Sequence, residues 1–408
     1  MKRIGLLAAA GVLAAGVAPA QAQEIPVGHI AAYSGPTSDV GKIYGQAVED
    51  AIAHINENGG IAGHKINKET VDYAYETSRA ISTYKKWKSQ LQPVAIQGWG
   101  TADTEALVRF VARDKTPYLS ASYSGHLTDP KGDSPHTEVA APYNFFYGPS
   151  YSDGCRAMVE WAKNDWLDKG HDRAPRFIHM GDSHPYPNAP KAACRDYAEE
   201  LGFKVLEPIV YSLSPGDFKA QCLSLQEKNA DYAYLANTSG SNISLLRSCE
   251  TVDVDVQFLT NVWGFDETSV DPAGSAGDGV VFPVGAAIWT SDAPGMETIK
   301  EIAGSDERRA LHYMRGVCSV MFMRDAMKRA AENGEITGPA IKAGLESMEG
   351  HVPDDLEGVC LPHTWTPENH RGTTKVRVYQ NDWQGDGEFA FNHLETIDLP
   401  RREDWLGY

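Results

Sequence analysis

Short apolar segments alternate with amphipathic segments along most of the chain. Residues 26–31 are largely apolar and predict a strand. The segment after it carries apolar residues at helical spacing, at Ile43, Ala47, Ala51 and Ile55. This helix is predicted to end at Gly59, because glycine readily adopts the left-handed conformation that ends helices. The same alternation of strand and helix continues to about residue 259.

The alternation predicts an α/β fold in two similar halves. Strands that alternate with helices of about ten to fifteen residues are typical of parallel sheets built from right-handed βαβ units. A strand at 279–284 and a long helix at 306–332 are expected to return the chain to its first half. Further strands are expected at 361–366 and 375–379. Residues 386–408 lack a clear period and are expected to form a C-terminal tail on the surface.

Length, composition and charge narrow the class of protein. A chain of 408 residues is expected to form about two domains. Its 42% hydrophobic and 23% charged residues are ordinary for globular proteins. A net charge of −18 argues against nucleic acid or an anionic membrane as partner. After residue 22 no apolar run reaches the length of a membrane span, so we expect no membrane insertion. We also expect the protein to be a monomer.

The first residues have the pattern of a cleaved export signal. Lys2 and Arg3 precede an apolar segment at 4–17, and Ala20 and Ala22 fit the small-residue rule for cleavage. Residues 1–22 are therefore predicted to be a signal peptide. The mature protein is expected to be a soluble periplasmic protein that begins near residue 23.

The cysteines are even in number and occur without a C-x-x-C pair, which favours disulfides in an oxidising compartment over zinc or redox chemistry. They are Cys155, Cys194, Cys222, Cys249, Cys318 and Cys360. Six cysteines allow 15 connectivities. We favour Cys222–Cys249, on consecutive predicted helices, and Cys318–Cys360, which leaves Cys155 and Cys194 for each other. Several buried free thiols are the alternative.

Enzyme motifs are missing from the sequence. There is no H-E-x-x-H, no G-x-S-x-G and no G-x-x-x-x-G-K-[ST] pattern. Gly98 and Gly100 lack the third glycine of a dinucleotide fingerprint. The pairs His179/His184 and His363/His370 do not have the spacing that directs two rings at one metal ion. We therefore expect no catalytic residue, no cofactor and no metal.

Six loops at the predicted carboxyl ends of strands share one chemistry: small hydroxyl residues and glycines near helix N-termini, together with large aromatic residues. They are residues 33–37, 98–103, 122–125, 182–186, 237–242 and 261–266. In open α/β sheets ligands bind outside these strand ends. Hydroxyls and free N–H groups at a helix N-terminus bind a carboxylate, and Trp and Tyr supply rigid walls. The loops predict a ligand cleft; helix caps and hinge packing are the alternative explanation.

Several of these residues resemble a known family. Ser34-Gly35-Pro36 is followed by Ile55-Asn56-Glu57-Asn58-Gly59-Gly60-Ile61-Ala62-Gly63, which is similar to the family signature IN-x-x-GGI-x-G. Asp217-Phe218 and Ala230-Asp231 match shorter elements. The sequence thus resembles the periplasmic Leu/Ile/Val-binding-type substrate-binding proteins of ABC importers, over most of residues 24–380.

The resemblance implies two lobes joined by three crossovers, which we place near 145, 279 and 359. Lobe 1 would comprise 24–144 and 279–358, and lobe 2 would comprise 145–278 and 359–385. Such a protein closes over a small-molecule ligand by hinge motion and delivers it to an inner-membrane ABC permease. A ligand-sensing regulatory protein without a permease is the alternative.

The resemblance also implies site residues. The family serine that holds an amino-acid carboxylate falls at about Ala102, and a second-lobe tyrosine falls at Tyr186. The acid that pairs with the ligand ammonium falls on Val262, so either Asp266 or Asp103 replaces it, or the ligand is not a simple α-amino acid. An aromatic or amide ligand is then more suitable than leucine. Four aromatic residues are expected to stack on a ligand ring or to enclose a quaternary ammonium group. They are Trp99, Tyr123, Tyr186 and Trp263. The candidate ligand-binding residues are Trp99, Thr101, Ala102, Asp103, Ser122, Tyr123, Gly125, Tyr186, Thr238, Ser239, Trp263 and Asp266.

Overall fold

The computed structural model describes residues 24–385 and 387–408. The predicted signal peptide, residues 1–22, lies outside the described residues. Two sheets, each flanked by helices, form the framework, and we call the halves built on them lobe 1 and lobe 2. This is the α/β fold that the alternation predicts.

Lobe 1 is built on a five-stranded parallel sheet of order β2-β1-β3-β4-β5. Its strands are β1 Ile25–Ala31, β2 Ile66–Asp72, β3 Ala95–Gly98, β4 Tyr118–Ser120 and β5 Asn144–Phe146. The helices between them are α1 Ser38–Glu57, α2 Thr77–Gln90 and α3 Thr101–Asp114.

Lobe 2 is built on a larger, mixed sheet of order β15-β14-β11-β10-β9-β6-β7, with β8 also paired to β6. Its strands are β6 Arg176–Gly181, β7 Lys204–Val205, β8 Ile209–Val210, β9 Tyr232–Leu235, β10 Gln257–Thr260, β11 Val281–Val284, β14 Lys375–Gly385 and β15 Glu388–Asp398. Its helices are α4 Tyr151–Asp168, α5 Pro185–Asn188, α6 Lys191–Glu200, α7 Lys219–Lys228, α8 Ser239–Glu250 and α9 Glu267–Ala273.

The chain between β11 and β14 returns to lobe 1. It forms α10 Met296–Ala303, α11 Leu311–Glu332, α12 Gly338–Glu346 and a hairpin of β12 Thr364–Thr366 with β13 Asn369–Gly372. Helix α11 packs on α1, and Gly316 permits the close approach, because a Cβ there would lie 2.7 Å from the Ala47 Cβ and from the Tyr44 carbonyl oxygen.

The expected strand at 279–284 forms, but it does not join lobe 1. Val281 pairs with Leu259 of β10 on one side and with Gln380 of β14 on the other, so β11 lies inside the lobe 2 sheet. The second crossover therefore follows residue 284 instead of 279.

The third crossover also comes later than expected. The β12–β13 hairpin still contacts lobe 1, where the His370 ring nitrogen lies 2.9 Å from the carbonyl oxygen of Asn144 in β5. Only after Gly372 does the chain enter the lobe 2 sheet as β14. Residues 364–372, expected in lobe 2, therefore pack on lobe 1.

About half of the expected C-terminal tail is a strand. Residues 388–398 form β15, which pairs antiparallel with β14 along its length and makes the edge of the lobe 2 sheet. The residues after it pack back on the protein, where Leu406 and Gly407 form hydrogen bonds with the segment at 128–134 of lobe 1.

All six cysteines are paired, and in the three pairs that the sequence analysis favours. Cys155–Cys194 joins α4 to α6, and Cys222–Cys249 joins α7 to α8. Cys318–Cys360 ties α11 to the loop before β12. None of the helices in the described part of the chain has the length and apolarity that crossing a membrane requires.

Candidate functional site

A small cavity of about 10 Å³, with room for about one water molecule, lies between the lobes, where the carboxyl ends of their parallel strands face each other. Lobe 1 contributes residues that follow β1, β2, β3 and β4, and lobe 2 contributes the start of α4 and residues that follow β6, β9 and β10. This is where open α/β sheets bind ligands. The lining residues are Thr37, Tyr75, Trp99, Gly100, Thr101, Ala121, Tyr151, Tyr186, Thr238 and Trp263.

Three helices begin at the cavity wall. Thr37, Gly100 and Thr238 are the N-cap residues of α1, α3 and α8, and none of them caps its helix with a side-chain hydrogen bond. A helix N-terminus carries roughly half a positive charge on its free N–H groups. The wall therefore offers hydrogen-bond donors and partial positive charge without any lysine or arginine in direct contact with the cavity.

The two tryptophans of the wall come from opposite lobes, and their ring centroids lie 5.0 Å apart. The Trp99 indole N–H donates to Thr37 Oγ1 at 2.9 Å, and the Trp263 indole N–H donates to the Tyr151 hydroxyl at 3.2 Å. Each hydrogen bond fixes the direction of a ring. The rings form a rigid apolar contact that exists only while the lobes are together.

Three buried side chains, those of Arg315, His312 and Asp266, lie in contact with one another behind Trp263. The Arg315 guanidinium lies 3.9 Å from the centroid of the Trp263 ring, and its Nη1 donates to His312 Nδ1 at 3.1 Å. His312 Nε2 lies 3.0 Å from Asp266 Oδ2. All three side chains are fully buried.

The protonation states of these three side chains follow from their surroundings. Burial lowers the pKa of His312, so the ring is neutral and carries its proton on Nε2, facing the carboxylate. Burial alone would raise the pKa of Asp266, but the hydrogen bond to His312 and the bonds that cap α9 hold it below its usual value. The neutral ring thus connects a positive Arg315 to a negative Asp266.

Asp39 joins the lobes at the edge of the cavity. It stands in the first turn of α1, and its Oδ2 accepts hydrogen bonds from the Gly240 N–H at 2.7 Å and from the Ser239 hydroxyl at 3.3 Å, both in the first turn of α8. Burial raises the pKa of Asp39, although these hydrogen bonds oppose the shift. One carboxylate therefore lies between the N-termini of two helices that belong to different lobes.

Asp103 lies behind the wall at the start of α3. Its Oδ1 accepts a hydrogen bond from the Tyr73 hydroxyl at 2.8 Å, and complete burial raises its pKa to about 7. The wall residue Gly100 has to be glycine, because a Cβ there would lie 2.3 Å from Asp103 Oδ1.

Five of the twelve candidate residues line the cavity: Trp99, Thr101, Tyr186, Thr238 and Trp263. Three others support them, since Ser122 donates to Thr101 Oγ1 at 2.8 Å, Tyr123 stacks near Trp263 and Ser239 binds Asp39. Ala102 stands half-buried in the first turn of α3, outside the lining set.

Three candidate residues have other surroundings than expected. Gly125 faces the end of the chain, where an added Cβ would lie 2.7 Å from the backbone of Tyr408. Asp103 and Asp266, the two acids considered as partners for a ligand ammonium, lie behind the wall and are bonded to Tyr73 and His312. The acid at the cleft edge is instead Asp39, which the sequence analysis did not select.

The sequence analysis also missed five lining residues. Thr37 and Gly100 belong to loops that it singled out, so the signal was present. Tyr75 follows β2 with a left-handed φ of 62°, and Tyr151 opens α4 just after the first crossover. Ala121, the fifth, follows β4 directly. Arg315, which lies behind the wall and was also missed, stands in the middle of α11, where no loop pattern marks it. Among the described residues, no group of three or more His, Cys, Asp or Glu side chains is arranged to hold a metal ion.

Comparisons with known proteins agree with this architecture. A family model described as periplasmic binding protein matches residues 24–388. The Leu/Ile/Val-binding protein homolog 4 of Brucella abortus is 21% identical over 361 residues, which cover 85% of this chain and 83% of that protein.

Solved structures show the same fold. An ABC transporter substrate-binding protein of Aeropyrum pernix superposes with a TM-score of 0.82 at 29% identity, over 94% of this chain and 98% of the other. A branched-chain amino acid ABC transporter protein of Thermus thermophilus with bound valine gives a TM-score of 0.82 at 21% identity, over 93% of this chain and 97% of the other. With its family model, two-lobed fold and interlobe cavity, this chain belongs to the periplasmic binding protein family, whose members here are substrate-binding proteins of ABC transporters.

Proposed function

We propose that this protein is a periplasmic receptor that binds a small polar or aromatic solute between its lobes and delivers it to an inner-membrane ABC permease. By family the solute is of amino-acid type, with an aromatic compound or an amide more suitable than leucine. The observation that carries the proposal is a cavity at the facing strand ends whose wall is shared by both lobes.

A shared wall explains how binding is coupled to closure. Six lining residues belong to lobe 1 and four to lobe 2, so a ligand in the cavity contacts both lobes only in the closed form. A ligand shifts a conformational equilibrium by its difference in affinity for the two forms. The closed form is then the signal that a permease recognises, and closure by hinge motion is the expected transition.

The lining chemistry suits a small ligand with one polar end. The N-terminus of α3 supplies N–H groups for a carboxylate or a carbonyl oxygen, whereas those of α1 and α8 share the carboxylate of Asp39. Trp99, Tyr151, Tyr186 and Trp263 supply flat apolar surface. In the closed form the cavity has room for about one water molecule, about 10 Å³, so the lobes have to part to accommodate a larger ligand.

A screen of thermal stability tests the proposal. Amino acids, aromatic acids, amides and betaines are added singly to the mature protein and the melting temperature is measured. A true ligand at a hundredfold excess over its Kd stabilises the folded form by about 2.7 kcal/mol. If none of these classes stabilises the protein, the proposed function is wrong.

Delivery to a permease has its own test. Uptake of the identified ligand is measured in cells with and without this gene, and import predicts that uptake at low ligand concentration is lost without it. Unchanged uptake with a lost transcriptional response to the ligand would instead support the regulatory alternative. Mass spectrometry of the exported protein tests localisation, with an N-terminus at about residue 23 expected.

A further inference from the structure

We infer that the ligand is a small organic acid without an amino or quaternary ammonium group, and that Arg315 behind the cavity wall sets this preference. The inference rests on the proposed function, because it takes the interlobe cavity as the ligand site. It excludes the cationic and zwitterionic ligands that an aromatic enclosure alone would also admit.

The wall itself carries no formal charge. Its ten residues are threonines, tyrosines, tryptophans, two small residues and nothing acidic or basic. A buried ammonium group without an anionic partner is costly, whereas a carboxylate is stabilised by helix N–H groups. The charge preference of the cavity is therefore decided by the helix ends and by the charged side chains behind the wall.

Arg315 acts on the cavity through an aromatic ring. Trp263 lines the cavity and Arg315 does not, and the guanidinium lies 3.9 Å from the indole centroid. The guanidinium is fully buried, and its Nε and Nη2 have no hydrogen-bond partner among the described residues. A ring already bound to one cation has less attraction left for a second, so Trp263 is a poor partner for a cationic ligand.

The buried acids near the cavity are largely compensated. Asp39 lies between the N-termini of α1 and α8, whose two partial charges together balance one carboxylate. Asp266 is connected to Arg315 through His312. Below about pH 7, Asp103 is mostly uncharged, because burial raises its pKa to about 7. Burial and the neighbouring Asp266 raise the pKa of Glu267 to about 8.

The N-terminus of α3 has no side-chain cap, and its first-turn acid, Asp103, is bonded to the Tyr73 hydroxyl behind the wall. Gly100 and Thr101 of this helix lie on the wall, and in the closed form they face the rings of lobe 2. A ligand would fit this site with its carboxylate at the N-terminus of α3 and with the uncharged remainder of the ligand against Trp99 and Trp263. Asp39 Oδ1, which has no hydrogen-bond partner, is the acceptor that an ammonium group would use if the inference were wrong.

Matched pairs of compounds test the inference by calorimetry at pH 6.5. The pairs are butanoate with 2-aminobutanoate, 3-methylbutanoate with valine, and phenylacetate with phenylglycine, and choline is the cationic probe. In whichever pair binds most tightly, the acid is expected to bind at least tenfold more tightly than its amino derivative, a difference of about 1.4 kcal/mol. Choline is expected not to bind.

Variants then test the role of Arg315 as a positioning residue. Arg315→Gln is expected to reduce the acid preference to less than threefold, and Arg315→Lys, which keeps the charge, to restore it. Lys328→Gln is the matched control, because it removes one positive charge from an exposed position of the same helix. Asp39→Asn tests the alternative that Asp39 Oδ1 accepts a hydrogen bond from a ligand ammonium group. A purely structural role of Arg315 would weaken acid and amino derivative equally.

Each outcome has a clear meaning. The inference is overturned if the amino derivative binds as tightly as the acid or more tightly. It is also overturned if amino acids bind the wild type and this binding is lost in Asp39→Asn. Neither result requires that an Arg315 variant folds. An unchanged acid preference in Arg315→Gln removes Arg315 from it. If an amide or an alcohol closes the cleft while all acids fail, the ligand class is wrong and the proposed function stands; if no compound closes it, the proposed function fails.

Discussion

Asp103 gives a prediction that connects the site to the stability of the whole chain. Its carboxyl is 1% exposed, its Oδ1 accepts the Tyr73 hydroxyl, and its Oδ2 has no hydrogen-bond partner among the described residues. Burial raises its pKa to about 7. The substitution Asp103→Asn keeps the shape and the hydrogen bond from Tyr73 while removing the charge at every pH.

The size and sign of the effect follow from the pKa in the folded and unfolded chain. An unfolded aspartate has a pKa of about 3.9, so the shift to about 7 corresponds to roughly 4 kcal/mol. Because the folded pKa is the higher one, the folded protein takes up a proton. The stability due to that proton is fully present below about pH 4 and is lost as the pH rises to about 7.

Urea unfolding at a series of pH values between 4 and 9 measures this. At pH 4 the Asp103→Asn variant is expected to equal the wild type or to be slightly less stable, because the amide N–H groups find no acceptor. Above pH 7 the variant is expected to be more stable by up to about 4 kcal/mol. Glu57→Gln, which removes a charge from the exposed end of α1, serves as control. Parallel pH profiles for wild type and Asp103→Asn would refute the reasoning.

Three further predictions address the wall, the framework and the disulfides. Trp263→Ala is expected to abolish the ligand-dependent rise in melting temperature, since the interlobe ring contact and the cavity wall are lost; a retained rise would place the ligand elsewhere. Arg371→Met is expected to cost about 3–5 kcal/mol in urea unfolding, because it leaves the buried Asp153 without the Arg371 nitrogens at 2.6 and 2.7 Å; a cost below about 1 kcal/mol would contradict this. Alkylation under denaturing, non-reducing conditions is expected to label no cysteine, and one labelled residue would disprove a pair.

The elements that local pattern determines were predicted well. Strand β1 and helix α1 were expected within a few residues of where they lie, because a short apolar run before a turn indicates the strand and a period of 3.6 indicates the helix. The Cys222–Cys249 pair followed from consecutive predicted helices, and Cys318–Cys360 from the crossover that these cysteines flank, which left Cys155 and Cys194. The six loops at strand ends were also informative, since the carboxyl ends of parallel strands have to meet at one edge.

Elements that depend on distant pairing were not predictable in this way. Strand β11 has the same local pattern in either lobe, and only its pairing with β10 and with β14, about a hundred residues later, assigns it to lobe 2. Strand β15 was expected as a tail, because one face of this edge strand is exposed and its residues are largely polar. Its antiparallel pairing with β14 is what makes this segment a strand.

The residues of the candidate site divide in the same way, into those that local sequence marks and those that only distant packing places. Residues on loops, such as Trp263, could be recognised from their neighbours in the sequence. Arg315 could not, because it belongs to a buried stretch of helix and reaches the site only through the packing of α11 against lobe 2. The roles of Asp103 and Asp266 likewise depend on partners at a distance, Tyr73 and His312.

Small-angle X-ray scattering of the mature protein measures whether the two lobes close on a ligand. With a saturating ligand from the thermal screen, closure predicts a smaller radius of gyration than without ligand, and a scattering curve that fits the closed structure. An unchanged radius of gyration at full occupancy, with a ligand-free curve that already fits the closed structure, would contradict it.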